Sequence, residues 1–115
     1  MALQRAILEL GAGAALHGGD YTKAAVRAVD DAIHHTSLTF LRSLEIDPAD
    51  MRVMLTIGVQ VPDRVDKDAV RSRFPHGQIN VKTVKGGLNV PDATGNDITV
   101  IASAGIEVYI DVDPV

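Results

Sequence analysis

The stretch Ile98-Thr-Val-Ile-Ala-Ser-Ala-Gly-Ile-Glu-Val-Tyr-Ile-Asp-Val112 decides the fold. Every even position in it is apolar: Ile98, Val100, Ala102, Ala104, Ile106, Val108, Ile110 and Val112. The odd positions, Thr99, Ile101, Ser103, Gly105, Glu107, Tyr109 and Asp111, are mixed. Alternation with period 2 marks a strand with one buried face. The run exceeds the usual strand length of about 5–6 residues, so a bend near Ser103–Gly105 is expected.

Upstream, Met51–Val61 alternates in the same way, with Met51, Val53, Leu55, Ile57, Val59 and Val61 on one side. Gln4–Leu10 reads as a first strand with Ala6, Leu8 and Leu10 inward, and Ile79–Val84 as a shorter one ended by Gly86-Gly87. Between the first two strands, Asp20 is a good N-cap for a helix running to about Leu44. Ala25, Val29, Ala32, Ile33, Phe40 and Leu44 recur on it at helical spacing. The cluster Thr36-Ser37-Leu38-Thr39 predicts an irregularity, and Asp47-Pro48 a turn. A second helix, about Asp66–Phe74, follows Pro62-Asp63 and stops before Pro75. Gly86–Asn96 has turn residues but no period and reads as a loop. The order β-α-β-α-β-β predicts one α/β (α+β) domain over residues 1–115, a mixed four-stranded sheet with two helices on one face.

For 12.2 kDa, folding buries roughly two-thirds of the unfolded surface, enough for a core without staples. There is no cysteine, hence no disulfide, thiolate nucleophile or Cys-based zinc site. Fifteen acidic and eleven basic residues, no basic run, and only Tyr21, Phe40, Phe74 and Tyr109 as aromatics argue against nucleic acid. No apolar run approaches the ~20 residues of a membrane span. Arg5 and Glu9 interrupt any leader-like stretch, so a cytoplasmic protein is expected.

The sheet face away from the helices is expected to show Arg5, Ile7, Glu9, Arg52, Met54, Thr56, Gln60, Lys82, Val84, Thr99, Ile101, Glu107 and Tyr109. That mixture fits either a solvated face with scattered apolar residues or a subunit interface with a polar rim. We favour the interface, and therefore a homo-oligomer. A hetero-oligomer remains open.

The candidate site is the turn between first strand and first helix, Gly11-Ala-Gly-Ala-Ala-Leu-His-Gly-Gly-Asp20. Gly11, Gly13 and Gly18 let backbone amides approach a ligand, and the helix start favours negative charge. The run fails the dinucleotide pattern at Leu16 and the P-loop pattern at Asp20-Tyr21, so no nucleotide or other cofactor is expected. A small polar or anionic ligand is. His17 is the candidate acid or base, against a plain surface histidine. Lys23, Arg27, Asp31 and His34 form one polar stripe along the helix. Lys23 and Arg27 would neutralise an anion; an Arg27–Asp31 pair on a solvated face is the alternative. Adjacent His34-His35 have no metal-ligand spacing, His76 reads as a turn residue, and no metal is expected. Ser103 and Glu107 share a strand face; with a lysine nearby, Ser103 could be a nucleophile or simply an interface residue.

Gly11-Ala-Gly13-Ala-Ala15-Leu-His17-Gly18, followed by Asp20-Tyr-Thr-Lys23-Ala-Ala-Val-Arg27-Ala, resembles the uncharacterised "Lin" conserved-hypothetical family of bacterial and plant proteins. Its hallmark is an amino-terminal G-x-G-x-D-x-H-G. The resemblance extends through Lys85-Gly86-Gly87-Leu88 and Asn96-Asp97. The motif maps onto Gly11, Gly13, His17 and Gly18, with Ala15 in place of its aspartate. If that carboxylate serves as base or ligand holder, its loss implies altered or absent activity. The element order is also similar to chorismate-mutase-like folds, which implies trimers, or multiples of them, with sites between subunits. Ring-opening amidohydrolases, built of related units, imply a Ser/Lys pair, here Ser103 with Lys23 or Lys82. The expectation is an oligomeric enzyme performing hydrolysis or proton transfer on a small polar or anionic substrate, the alternatives being a binding module or a structural oligomer.

Overall fold

A computed structural model of the chain describes residues 2–35, 47, 50–74 and 77–112. Its elements are β1 (Ala2–Ala15), α1 (Tyr21–His34), β2 (Arg52–Val59), a 3₁₀ turn at Pro62–Arg64, α2 (Lys67–Arg71), β3 (Gln78–Lys85), β4 (Leu88–Pro91) and β5 (Ile98–Val112). The mixed α+β architecture is the expected one, with five strands in place of four.

Strand order is β1-β5-β2-β3, and β4 pairs with β5 beyond the end of β2. β5 runs antiparallel to β1 and β2, and β2 runs parallel to β3. The carboxyl ends of β1, β2 and β3 therefore lie at one end of the sheet. The fifth strand comes from the segment expected to be a loop. Leu88–Pro91 pairs with Ile101–Ile98 because the chain crosses over the end of β2 at Gly86-Gly87. Gly86 N–H donates to the Val59 carbonyl at 2.9 Å. Gly87 has φ +61, and a Cβ there would stand 2.1 Å from the Ile101 carbonyl oxygen, so only glycine makes this crossing.

Both helices pack on the core face. Ala24, Ala25, Ala28, Val29 and Ala32 of α1 and Val70 of α2 are buried against Val53, Leu55, Ile57, Val59, Val100, Ala102, Ile106 and Val108. Burying a Leu, Ile or Val side chain contributes about 1.5–3 kcal/mol, and the buried residues among those described are all apolar or Tyr21. Asp20 caps α1 through Lys23 N–H at 2.9 Å, and Asp66 caps α2 through Asp68 and Ala69 N–H. α1 closes at His34 with His35 as its C-cap; the expected continuation Thr36–Leu44 lies outside the described residues, as do Pro48, Pro75 and His76. The shorter α2 ends at Arg71, leaving Phe74 buried beyond it.

The expected bend in β5 is absent. Its pairing with β1 is continuous from Val100 to Val112 except for a bulge in β1 between Arg5 and Ile7. One extra residue reverses every later side chain. Ile7, not Leu8, faces the core, and Leu8 and Leu10 stand 50% and 66% exposed on the opposite face. The expected inward set Ala6, Leu8 and Leu10 is thereby corrected.

β1 also runs longer than its alternation implied, so Gly11 and Gly13 are strand residues under α1 rather than loop residues. A Cβ on Gly11 would lie 2.4 Å from Ala32 N, and one on Gly13 2.3 Å from Ala28 N. Helix backbone rests directly on strand backbone. Because the obstructing atoms are main chain, Gly13→Ala must displace α1, and overpacking of this kind costs about 1–3 kcal/mol. Urea denaturation is expected to show that loss for Gly13→Ala and less than about 1 kcal/mol for Ala14→Gly in the same strand.

Candidate functional site

The turn after β1 is built by two carboxylates. Asp20 holds the first turn of α1, and Asp97, at the entry to β5, holds the turn itself. Asp97 Oδ1 accepts from Gly18 N–H at 2.8 Å and from Ile98 N–H at 2.8 Å, while Oδ2 lies 2.9 Å from His17 Nδ1. The Gly18 amide first, then His17 and Ile98, hold the Asp97 carboxyl below its ordinary range. Ionised Asp97 only accepts, so Nδ1 carries a proton and Nε2 is the ring nitrogen left without a partner among the described residues. The His17 side chain is 84% exposed. The result is an imidazole held at one nitrogen and exposed at the other. Gly18 and Gly19 take φ of +79 and +61, which turns the chain toward α1.

Neighbouring contacts tie this turn to the segment that follows β2 and to the start of β5. Thr22 Oγ1 accepts from Asp66 N–H at 2.9 Å, Arg64 lies 5.2 Å over the Tyr21 ring, and Thr99 Oγ1 donates to the Leu16 carbonyl at 3.2 Å. Asn89 donates to the Tyr21 hydroxyl at 2.6 Å, with its own carbonyl oxygen buried and unpartnered.

The other candidates fall in separate places. Arg27 donates to the Ala14 carbonyl at 2.7 Å, and Asp31 accepts from Ala12 N–H at 3.0 Å. Two members of the polar stripe thus satisfy the outer edge of β1, an edge strand that would otherwise present free backbone groups. The Lys23 ammonium makes no hydrogen bond or ion pair among the described residues, while its backbone N–H donates to Asp20. Gly11 and Gly13 serve packing. Ser103 sits opposite Ala12 and Gly58 on the sheet face turned away from the helices. Lys23 lies on the helix side, and Lys82 is two strands from Ser103, about 10 Å at the usual strand spacing. Neither Lys23 nor Lys82 is placed beside Ser103. No group of three or more His, Asp or Glu is placed to hold a metal among the described residues.

Asp97 is the site residue that the sequence reading passes over. Its signal is register: Ala15 pairs with Val100, so two residues further His17 stands beside the entry to β5. Ala15 itself is only 1% exposed and belongs to the core, so the carboxylate that serves His17 comes from the other strand.

The chain belongs to the Lin0512 family of conserved hypothetical proteins, which it matches over residues 5–108, as its amino-terminal motif implied. It is also similar to a crystal structure from Nostoc punctiforme described as an FtsZ-like protein of unknown function. The two share 31% identity at a TM-score of 0.85, over 97% of this chain and 99% of that one. No curated protein matches the chain. Among the described residues no helix is long and apolar enough to cross a membrane.

A carboxyl held low in the fold stabilises it above the unfolded carboxyl value of about 3.9, and that contribution disappears as pH falls through the folded value. Asp97 therefore stabilises the turn at neutral pH. Melting temperatures of wild type and Asp97→Asn are expected to differ at pH 7 and to converge from about pH 5 downward. A difference that persists unchanged at pH 2.5 would contradict the ionised Asp97 described here.

Proposed function

We propose that this member of the Lin0512 family binds a small polar ligand at the β1–α1 turn and moves a proton to or from it through His17. The single observation that carries the reading is the His17–Asp97 pair: Nδ1 is held at 2.9 Å, and the side chain is 84% exposed. An oriented imidazole with one free nitrogen is a general acid or base by geometry, in reach of whatever hydrogen-bonds to Nε2. Asp97 is the positioning residue, fixing tautomer and ring angle. Lys23, unpaired on the first turn of α1, supplies the positive charge for an anionic group on the ligand. The reaction class that suits these parts is proton transfer or hydrolysis of a small molecule.

A non-catalytic binding module is the second reading. What favours it is that Asp97 and Asp20 already occupy the Gly18 and Lys23 amides, leaving fewer donors for a transition-state charge.

Thermal shift separates these from an inert turn. A panel of small carboxylates, amides and cyclic ureas at 10 mM is expected to contain at least one stabilising compound. At ten times its Kd a ligand adds about 1.4 kcal/mol, a rise of a few degrees for a domain this size. His17→Gln is expected to abolish that rise while keeping the unliganded melting point within about 2 °C, since the side chain is exposed. A shift that survives His17→Gln removes His17 from the site. Turnover of the hit by wild type, lost in His17→Gln, distinguishes catalysis from binding.

A further inference from the structure

The bulge between Arg5 and Ile7 changes what the sheet offers on the side that α1 and α2 do not cover. Of the eight large apolar side chains that stay exposed among the described residues, five, Leu3, Leu8, Leu10, Leu88 and Val90, lie on this one face. The register sets them in rows. Leu8 stands beside Glu107 and Met54, Leu10 beside Gly105 and Thr56, Ala12 beside Ser103 and Gly58, and Leu88 beside Ile101. Antiparallel sheets that face water on one side are polar there; this one carries apolar ridges on β1 and β4 around a floor of small residues.

We infer that a second copy of this chain packs face to face on this surface about a two-fold axis, with the sheets aligned. Two features of the face itself select another copy. The first is charge. Arg5 and Tyr109 both bond Glu107, but Arg52, Lys82 and Asp111 have no ion-pair partner among the described residues. A two-fold along the strands between β5 and β2 exchanges those two lanes. Arg52 of each copy then lies over Tyr109 of the other, between its two acidic neighbours on β5, and Leu88 lies over Ile101. The same operation exchanges β1 with β3, setting Asn80 over Leu8 and the aliphatic stem of Lys82 over Leu10, so each contact occurs twice, as in an isologous interface. The second feature is size. Twelve residues of β5, Ile98–Tyr109, at ~3.3 Å each, and three to four lanes at ~4.8 Å, give a footprint of about 40 by 17 Å. That is about 700 Å² per copy, close to the ~800 Å² of a standard stable interface.

At the centre of this arrangement Ser103 of one copy meets Gly58 of the other, so the floor of small residues lets the two sheets approach. Ser103 is exposed in the single chain, where a larger side chain has room. Sedimentation equilibrium from 1 to 100 μM is expected to give twice the 12.2 kDa of one chain. Ser103→Arg and Leu88→Glu are each expected to give a folded 12.2 kDa monomer with an unchanged far-UV spectrum. Lys67→Glu on α2 is expected to leave the dimer intact. A wild-type monomer at 100 μM overturns the inference, and so does a trimer, or a dimer that both Ser103→Arg and Leu88→Glu retain. Should Ser103→Arg fail to fold, Leu88→Glu decides on the same criterion.

Discussion

β1 and β5 lie antiparallel from Ala2 and Val112 at one end to Ala15 and Val100 at the other, and one bulge sets the register of that ladder. Before the bulge Arg5 stands beside Tyr109; after it Ile7 stands beside Val108. That single offset carries three consequences. It turns Gly11 and Gly13 toward α1, where nothing larger fits, it turns Leu8 and Leu10 outward, and it brings His17 alongside the start of β5. Core, open face and candidate site are fixed together, because a strand that slips by one residue exchanges its two faces.

The close seat of α1 follows from the same ladder. A row of small residues on the helix (Ala24, Ala28 and Ala32) meets the two strand glycines, so backbone touches backbone. At that distance the polar side chains of the helix flank can reach the strand edge. Arg27 and Asp31 bond Ala14 and Ala12, closing the outer edge of β1 against further strand pairing where α1 covers it. Two members of the polar stripe, Arg27 and Asp31, thus hold the strand edge, while Lys23 stays open at the start of the helix.

Much of this was legible in the sequence. Ile98–Val112 declared itself because eight apolar residues recur at every second position, and its bounds are those of β5. Asp20 as N-cap, both helices on one face and membership of the family were legible for equally local reasons. What escaped depends on contacts between distant segments. Gly11–Ala15 is too poor in branched side chains to read as strand, because its partner is a helix backbone. The bulge leaves no mark in a run where Ala6, Leu8 and Leu10 alternate as well as Ile7 and Glu9. Leu88–Pro91 becomes a strand only because Gly86 and Gly87 let the chain cross β2. Asp97 gains its meaning from residues 79 and 80 positions away.

The two carboxylates at the β1–α1 turn also redefine what the turn can recognise. A glycine-rich entry to a helix ordinarily offers free amides and a positive end to an anion. Here Asp20 takes the amide of Lys23, and Asp97 takes that of Gly18. The protein has supplied its own anions, so the helix end is already neutralised from within. In the function proposed above, recognition passes from backbone to side chain: the open nitrogen of His17 and the Lys23 ammonium, which is unpaired among the described residues. A ligand that hydrogen-bonds to an imidazole suits such a site better than one that relies on charge alone. Because Asp97 bonds His17, Gly18 and Ile98, the imidazole, the turn and the entry to β5 share one anchor.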